Sequence, residues 1–221
     1  TKADIVRIIG DYAAAAQRAK EAGFDGVQLH GANGYLIDQF LRAKTNLRTD
    51  EYGGSAQNRT RLLREVLEAL IGVWGADRVS VRLSPNGETQ GCDDPDPATL
   101  FGAAAQVCQD LKLGFVELRQ PGPDGTFGAT EVPKQDALIR GVYKGPLVLN
   151  SDYTAAQAEA DVASGRCDAI SFGRPYISNP DLATRIKLGA EWAPNTNVPQ
   201  SWYLPGAAGY IDYPALESAA A

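Results

Sequence analysis

Residues 24–35 read Phe-Asp-Gly-Val-Gln-Leu-His-Gly-Ala-Asn-Gly-Tyr. A short apolar run breaks off at His30, and Asn33 and Tyr35 follow in a glycine-rich turn. An imidazole, an amide and a phenol thus stand within six residues, directly after a buried strand predicted over 24–30. Parallel α/β folds keep their active sites at the carboxyl ends of strands. The stretch therefore reads as chemistry at a strand end.

Four further apolar runs obey the same rule. Strands are expected over 79–83, 115–118, 146–149 and 169–172. They end in Arg82 and Ser84, Arg119 and Gln120, Asn150 and Ser151, and Gly173 and Arg174. Helical patterns fill the intervals. Thr1, with Asp4 three residues on, caps a helix over 2–22 that presents Ile5, Ile8, Ile9 and Tyr12 on one face, and Gly23 ends it. One or two turns over 34–42 precede a long helix capped by Ser55 and running through Trp74, with Leu62, Leu63, Val66, Leu67 and Leu70 at helical spacing. Further helices are expected over 97–111, 134–140, 154–164 and 180–188.

Strand–helix alternation of this kind implies parallel β/α units joined by right-handed crossovers. An eight-stranded (β/α) barrel normally takes about 250 residues, and this chain opens on a helix with no strand before it. Two architectures satisfy this: an open sheet, or an α/β TIM barrel of which the chain supplies about five of the eight units. Residues 1–221 read as a single partial barrel domain, with 193–221 an irregular cover rich in Pro, Gly, Asn and Tyr.

Composition narrows the function classes. A net charge of −6 disfavours a nucleic-acid surface, which is normally basic. No apolar run approaches the roughly 18 residues that span a bilayer, so no membrane partner is expected. Cys92, Cys108 and Cys167 are scattered without pairing logic, which suits free thiols in a reducing cytoplasm and argues against a cysteine-held iron–sulfur cluster. No metal is expected.

The strand-end residues each admit a structural and a functional reading. A lone histidine is usually structural, yet His30 is the only one in the chain and opens the turn that carries Asn33 and Tyr35. Asn33-Gly34 could serve only as a turn, and Tyr35 only as a packed ring. Arg82, near the end of an apolar strand, requires an anionic or polar partner: a ligand at the sheet's mouth, or an ion pair with Glu117. Gly173-Arg174, with Ser151 on the preceding turn, suits an anion held by backbone N–H groups and a guanidinium.

Several stretches together carry a more specific signal. FDGVQLHGANGYLIDQFL, NLRTDEYGGSAQNRTRLLREV, VSVRLSP, AISFGRPYISNPDL and AAGYIDYP occur here in an order and spacing that resemble the Old Yellow Enzyme family of flavin-dependent ene-reductases. The resemblance runs over nearly the whole chain but covers only the later part of that family's barrel. It implies an NAD(P)H-dependent flavin oxidoreductase with FMN as cofactor and NADPH or NADH as reductant. The implied substrates are activated alkenes such as enones, maleimides and nitroalkenes.

By that resemblance His30 and Asn33 would hold the substrate's carbonyl or nitro oxygen. Tyr35 would protonate the α-carbon, since phenols keep their proton at neutral pH and can act as general acids. Arg82 would face the flavin's pyrimidine edge. Ser151 and Asp152, through their backbone, would hold the FMN phosphate with Gly173 and Arg174, and Tyr203 would line the substrate pocket. Two departures stand out. The family's opening strands are not in the chain, so a complementing N-terminal polypeptide or segment is expected, from a split, permuted or cleaved protein. Asn150-Ser151-Asp152 also replaces a turn that usually contains glycine, so Ser151 must admit a phosphate without glycine's freedom. The alternative is a flavin-free half-barrel with a structural or interaction role, whose open edge would invite association. Another FMN barrel, of the dihydroorotate dehydrogenase type, fits His30, Asn33 and Tyr35 less well.

Overall fold

Leu29, Val81, Leu83, Val116, Leu118, Leu147 and Leu149 are all buried, and each alternates along its strand with a polar or half-exposed neighbour. That period of two gives the sheet one apolar face and one open face. The computed structural model describes residues 1–86, 89–121, 133–194, 203, 205–209 and 211–216. Its strands are β1 (Val27–Gly31), β2 (Val79–Leu83), β3 (Phe115–Arg119), β4 (Leu147–Asn150) and β5 (Ala169–Ser171), in one sheet in sequence order. The pairs β1–β2, β2–β3 and β3–β4 are parallel. Expected and observed strands agree in number and place. The first begins later than the expected 24, because Phe24 is exposed and Gly26 runs so close to the Arg78 carbonyl that a Cβ would lie 2.6 Å from it.

Helices cover the apolar face. Helix α1 (Lys2–Glu21) starts in a full capping box between Thr1 and Asp4. The helix expected over 55–74 is in fact two: α3 (Ala56–Arg59), capped by the Ser55 hydroxyl, and α4 (Arg61–Trp74). The interruption is Thr60, whose hydroxyl bonds back to the Gln57 carbonyl at 2.9 Å and competes with the helical ladder. Leu62, Leu63, Val66, Leu67 and Leu70 of α4 are buried as the spacing required. Each such side chain contributes about 1.5–3 kcal/mol by leaving water. Between β1 and α3 lies α2 (Leu36–Leu41), and α5 (Pro97–Leu111) follows β2, capped by Asp96 with Pro97 in its first turn. Helix α6 (Asp136–Val142) begins two residues later than expected, and α7 (Ala155–Ala163) carries a second capping box between Thr154 and Gln157.

The chain packs as two compact units, residues 1–170 and 171–221. The first holds the sheet described above. The second contains α8 (Arg174–Ser178) and α9 (Leu182–Leu188), organised around buried Arg185, which bonds Asp181 at 2.8 Å and the carbonyls of Glu191 and Pro214. Much of the tail expected to form a cover lies outside the described residues. Among the described residues no helix is long and apolar enough to cross a membrane.

Candidate active site

The register of the sheet sets His30 beside Arg82 and Arg82 beside Glu117, with Arg119 beside Asn150 one step further on. In-register neighbours of parallel strands point to the same side. Gln28, His30, Arg82, Glu117, Arg119 and Asn150 therefore share the open face at its carboxyl end. Four of them are bonded to one another: Arg82 Nε donates to Glu117 Oε1 at 2.9 Å and Nη2 to Asn150 Oδ1 at 2.6 Å, while Gln28 Nε2 donates to Glu117 Oε2 at 3.0 Å. Of the two readings of Arg82, the ion pair with Glu117 is present.

The turn after β1 brings Asn33 and Tyr35 to His30, which lies on β1 itself. Asn33 has φ 60° and Gly34 φ 77°, the left-handed region that asparagine tolerates better than most residues and glycine enters without cost. Gly34 is required twice over, since a Cβ there would lie 2.5 Å from the Thr89 carbonyl oxygen. The two positive angles turn the chain so that the rings of His30 and Tyr35 approach, centroids 5.2 Å apart and planes tilted by 50°. Both rings are accessible: His30 is exposed and Tyr35 retains 54% of its surface.

Beneath the turn lies a buried polar cluster. Asp38 accepts the Gly34 N–H at 2.9 Å, the Arg42 Nε–H at 2.9 Å and the Ser84 hydroxyl at 3.4 Å. Ser84 in turn accepts the Asn33 N–H at 2.8 Å, and Arg42 donates to the Ser84 carbonyl. From above, Gln90 Nε2 donates to the Asn33 carbonyl at 2.9 Å and Arg119 Nε to Asn33 Oδ1 at 2.6 Å. Backbone and side chain of Asn33 are thus both fixed.

Charge follows from this packing. Partial desolvation by its neighbours pulls the His30 imidazole below its usual 6.5 although the ring keeps access to solvent, and the Arg82 cation adds to the effect against the opposing pull of Asp38 and Glu117. The imidazole is therefore neutral at pH 7. Burial also brings the Arg119 guanidinium down to about 10, with repulsion from Arg82, so it remains cationic at pH 7.

A different site lies at the ends of β3 and β4. Ser151 and Asp152 border a cavity of about 440 Å³, together with Gln120, Lys134, Tyr153 and Arg166. His30, Asn33 and Tyr35 do not line it. Ser151 donates its hydroxyl to the Gln120 carbonyl at 2.9 Å. Among the described residues only Asn33, Gln90 and Lys112 have positive φ without being glycine, so the turn at Ser151 does not need glycine's freedom. Gly173 and Arg174 open α8 in the second unit, and there too a Cβ on Gly173 would meet nothing within 4 Å. Tyr203 belongs to the same unit and is exposed.

Asp38, Arg42, Thr89 and Gln90 were not singled out from the sequence, and Arg119 was noted only as a strand-end residue without a role. The i, i+4 spacing of Asp38 and Arg42 was a usable signal. The contacts of Thr89, Gln90 and Arg119 span 30 to 86 residues and left none.

Comparison with known proteins bears on the family and the fold. The family described as NADH:flavin oxidoreductase / NADH oxidase matches residues 1–192. The chain belongs to that family. It is similar to an old yellow enzyme homologue from Zymomonas mobilis, with 50% identity and a TM-score of 0.93 over 97% of this chain and 60% of that one. Morphinone reductase in complex with tetrahydroNAD is similar as well, at 38% identity and a TM-score of 0.89, over 98% of this chain and 57% of that one. A probable flavin mononucleotide-dependent alkene reductase from Leishmania infantum is 41% identical over 213 residues, 96% of this chain and 56% of that protein. The chain spans little more than half the length of the curated relatives it matches. What it contributes to the Old Yellow Enzyme architecture is five consecutive β/α units of a TIM barrel.

Proposed function

We propose that this chain carries the reacting groups of an FMN-dependent ene-reductase that uses NADPH or NADH to reduce activated C=C bonds in the cytoplasm. It does so as one partial barrel domain, completed by a complementing N-terminal segment. The observation that carries the reading is the single turn that orders His30, Asn33 and Tyr35 around accessible space at the end of β1. Nearby Arg82, Asn150 and Glu117 form a row of donors and acceptors on the open sheet face. Such a set suits the edge of a flat heterocycle bearing carbonyl and imide groups. Within the first unit Ser151 and Asp152 are the residues we assign to the FMN phosphate; for Gly173 and Arg174 (phosphate) and Tyr203 (substrate), which belong to the second unit, the support is the family resemblance alone.

Bound FMN would supply hydride transfer between the nicotinamide and the alkene. The chain's own residues would do the rest. His30, neutral at pH 7, and Asn33 donate hydrogen bonds to the carbonyl or nitro oxygen of the substrate. Charge develops on that oxygen as the double bond is reduced, and donors already fixed in place stabilise it without reorganising. Tyr35, on the same turn, gives its phenolic proton to the α-carbon.

The test is Tyr35→Phe in the FMN-loaded protein, with the two half-reactions measured separately. Loss of a general acid is expected to slow alkene reduction by about 10²- to 10⁴-fold and to leave flavin reduction by NAD(P)H nearly unchanged. Equal slowing of both half-reactions would overturn the acid role.

A further inference from the structure

Arg119 closes β3 and is almost fully buried, at 7% exposure. Its Nε–H reaches Asn33 Oδ1 at 2.6 Å, and its Nη2 reaches Thr89 Oγ1 at 3.2 Å. A guanidinium has donors only, so the end of the Asn33 amide that it touches must be the carbonyl. The NH₂ end is then directed away from Arg119. The Asn33 backbone cannot swivel to undo this, because Ser84 holds its N–H and Gln90 its carbonyl.

We propose that Arg119 is a positioning residue that locks the Asn33 amide with its NH₂ toward the substrate oxygen and polarises it as a donor. The proposal rests on the reading of Asn33 as a donor to that oxygen. A cation bonded to an amide oxygen draws charge from the nitrogen and strengthens the N–H as a donor, and in a partly desolvated chain of bonds the strengthening is passed along. Arg119 remains charged at pH 7, so this pull operates under working conditions. The same guanidinium holds Thr89, which bridges to Cys92, and thereby fixes the loop after β2 against the turn after β1.

The probe is 4-nitrophenol, whose oxygen takes the place of the developing oxyanion and whose own absorbance reports ionisation. Affinity and the pH at which the bound ligand ionises are measured in the FMN-loaded protein and in Arg119→Leu, Arg119→Lys, Asn33→Gly and the Arg119→Leu/Asn33→Gly double variant. Glycine at 33 removes the amide while accepting φ 60°.

Arg119→Leu is expected to weaken nitrophenolate binding about tenfold, the size of one charge-assisted hydrogen bond, and to raise the pH of ionisation. Arg119→Lys should restore part of the loss. In the Asn33→Gly background Arg119→Leu should have almost no further effect. A loss of the same size in both backgrounds would overturn the proposal, since Arg119 would then act without Asn33. So would unchanged binding in Arg119→Leu where Asn33→Gly binds weakly. If Asn33→Gly itself binds as tightly as the parent, the donor role of Asn33 fails first and the proposal falls with it. Should Arg119→Leu not fold, Arg119→Lys decides: one ammonium cannot hold Asn33 and Thr89 in the same fork geometry, and parental affinity in that variant overturns the proposal.

Discussion

The turn after β1 and the turn after β4 both sit at strand ends, yet they are built in opposite ways. At the first, residues 33–34 are held by Ser84, Asp38, Gln90 and Arg119 around a buried Asp38–Arg42 pair whose side chains are about 1–2% exposed. At the second, Ser151 makes one bond to the Gln120 carbonyl, and Arg166, about a third exposed, bridges Asp136 and Asp161 beside an open cavity. The first is a fixed platform, which on the proposed reading would aim donors at a developing charge. The second is a charged basin bordered by Lys134, Asp152 and Arg166.

Breaking the ion pair under the first turn should have the largest effect on stability. Arg42→Met leaves Asp38 buried and charged without its cation, a loss expected to cost about 3–5 kcal/mol. The drop should appear as a lower urea midpoint with an unchanged slope. Adding Asp38→Asn should return part of it, because the orphaned charge is then gone. A loss below 1 kcal/mol would mean that the cluster is not the platform described. Gly34→Ala comes next: a strained φ and a Cβ at 2.5 Å from the Thr89 carbonyl should cost about 2 kcal/mol.

The matching test on the second turn is Arg166→Gln, which should cost less than Arg42→Met, about 1–2 kcal/mol, because Arg166 is about a third exposed although Asp136 is buried. Its pH dependence has a definite sign. Burial by itself would raise the Asp136 carboxyl, but the Arg166 bond and charge outweigh it and hold the group below 3.8. In the parent this carboxylate contributes stability that is present above pH 3.8 and lost as pH falls through the folded-state value. In Arg166→Gln burial dominates, the carboxyl rises, and the variant loses stability as pH climbs past 3.8. The gap between parent and variant should therefore widen from acid toward neutral pH. A gap that stays constant would show that Arg166 acts by packing alone.

The contrast between the turns also marks what the sequence could convey. Short apolar runs ending in polar residues pointed to all five strands, and the capping box at Thr1 and the leucine stripe of α4 to two helices, because these signals are local. The break at Thr60 was missed, since a hydroxyl's return bond to a carbonyl leaves no mark in periodicity. The proximity of His30, Asn33 and Tyr35 was legible for the same local reason: they fall within six residues at the end of β1. What fixes them was not legible. Arg119 lies 86 residues from Asn33, and only the parallel register of three strands brings the two together. The assignments at Ser151 and Asp152 and at Gly173 and Arg174 divide between the two units, and a local pattern could not specify their joint geometry.

The smallest expected effect sharpens the comparison most directly, because it reads the platform's electrostatics at one atom pair. His30 is the only histidine, so its imidazole gives a single resonance that can be followed by NMR across pH. Partial desolvation and Arg82 together should place its titration below 6.5. Between that value and 6.5 the unfolded chain binds the proton and the folded protein does not. Stability should therefore fall as pH is lowered through this window, and above 6.5 this group should add no pH dependence. Arg82→Gln removes the cation but leaves the desolvation, so the titration should move up toward 6.5 and the window should narrow. A titration above 6.5 in the parent would make the imidazole a cation near neutral pH. The proposed oxygen site would then be charged by His30 itself, and the neutral donor pair proposed for the first turn would not exist.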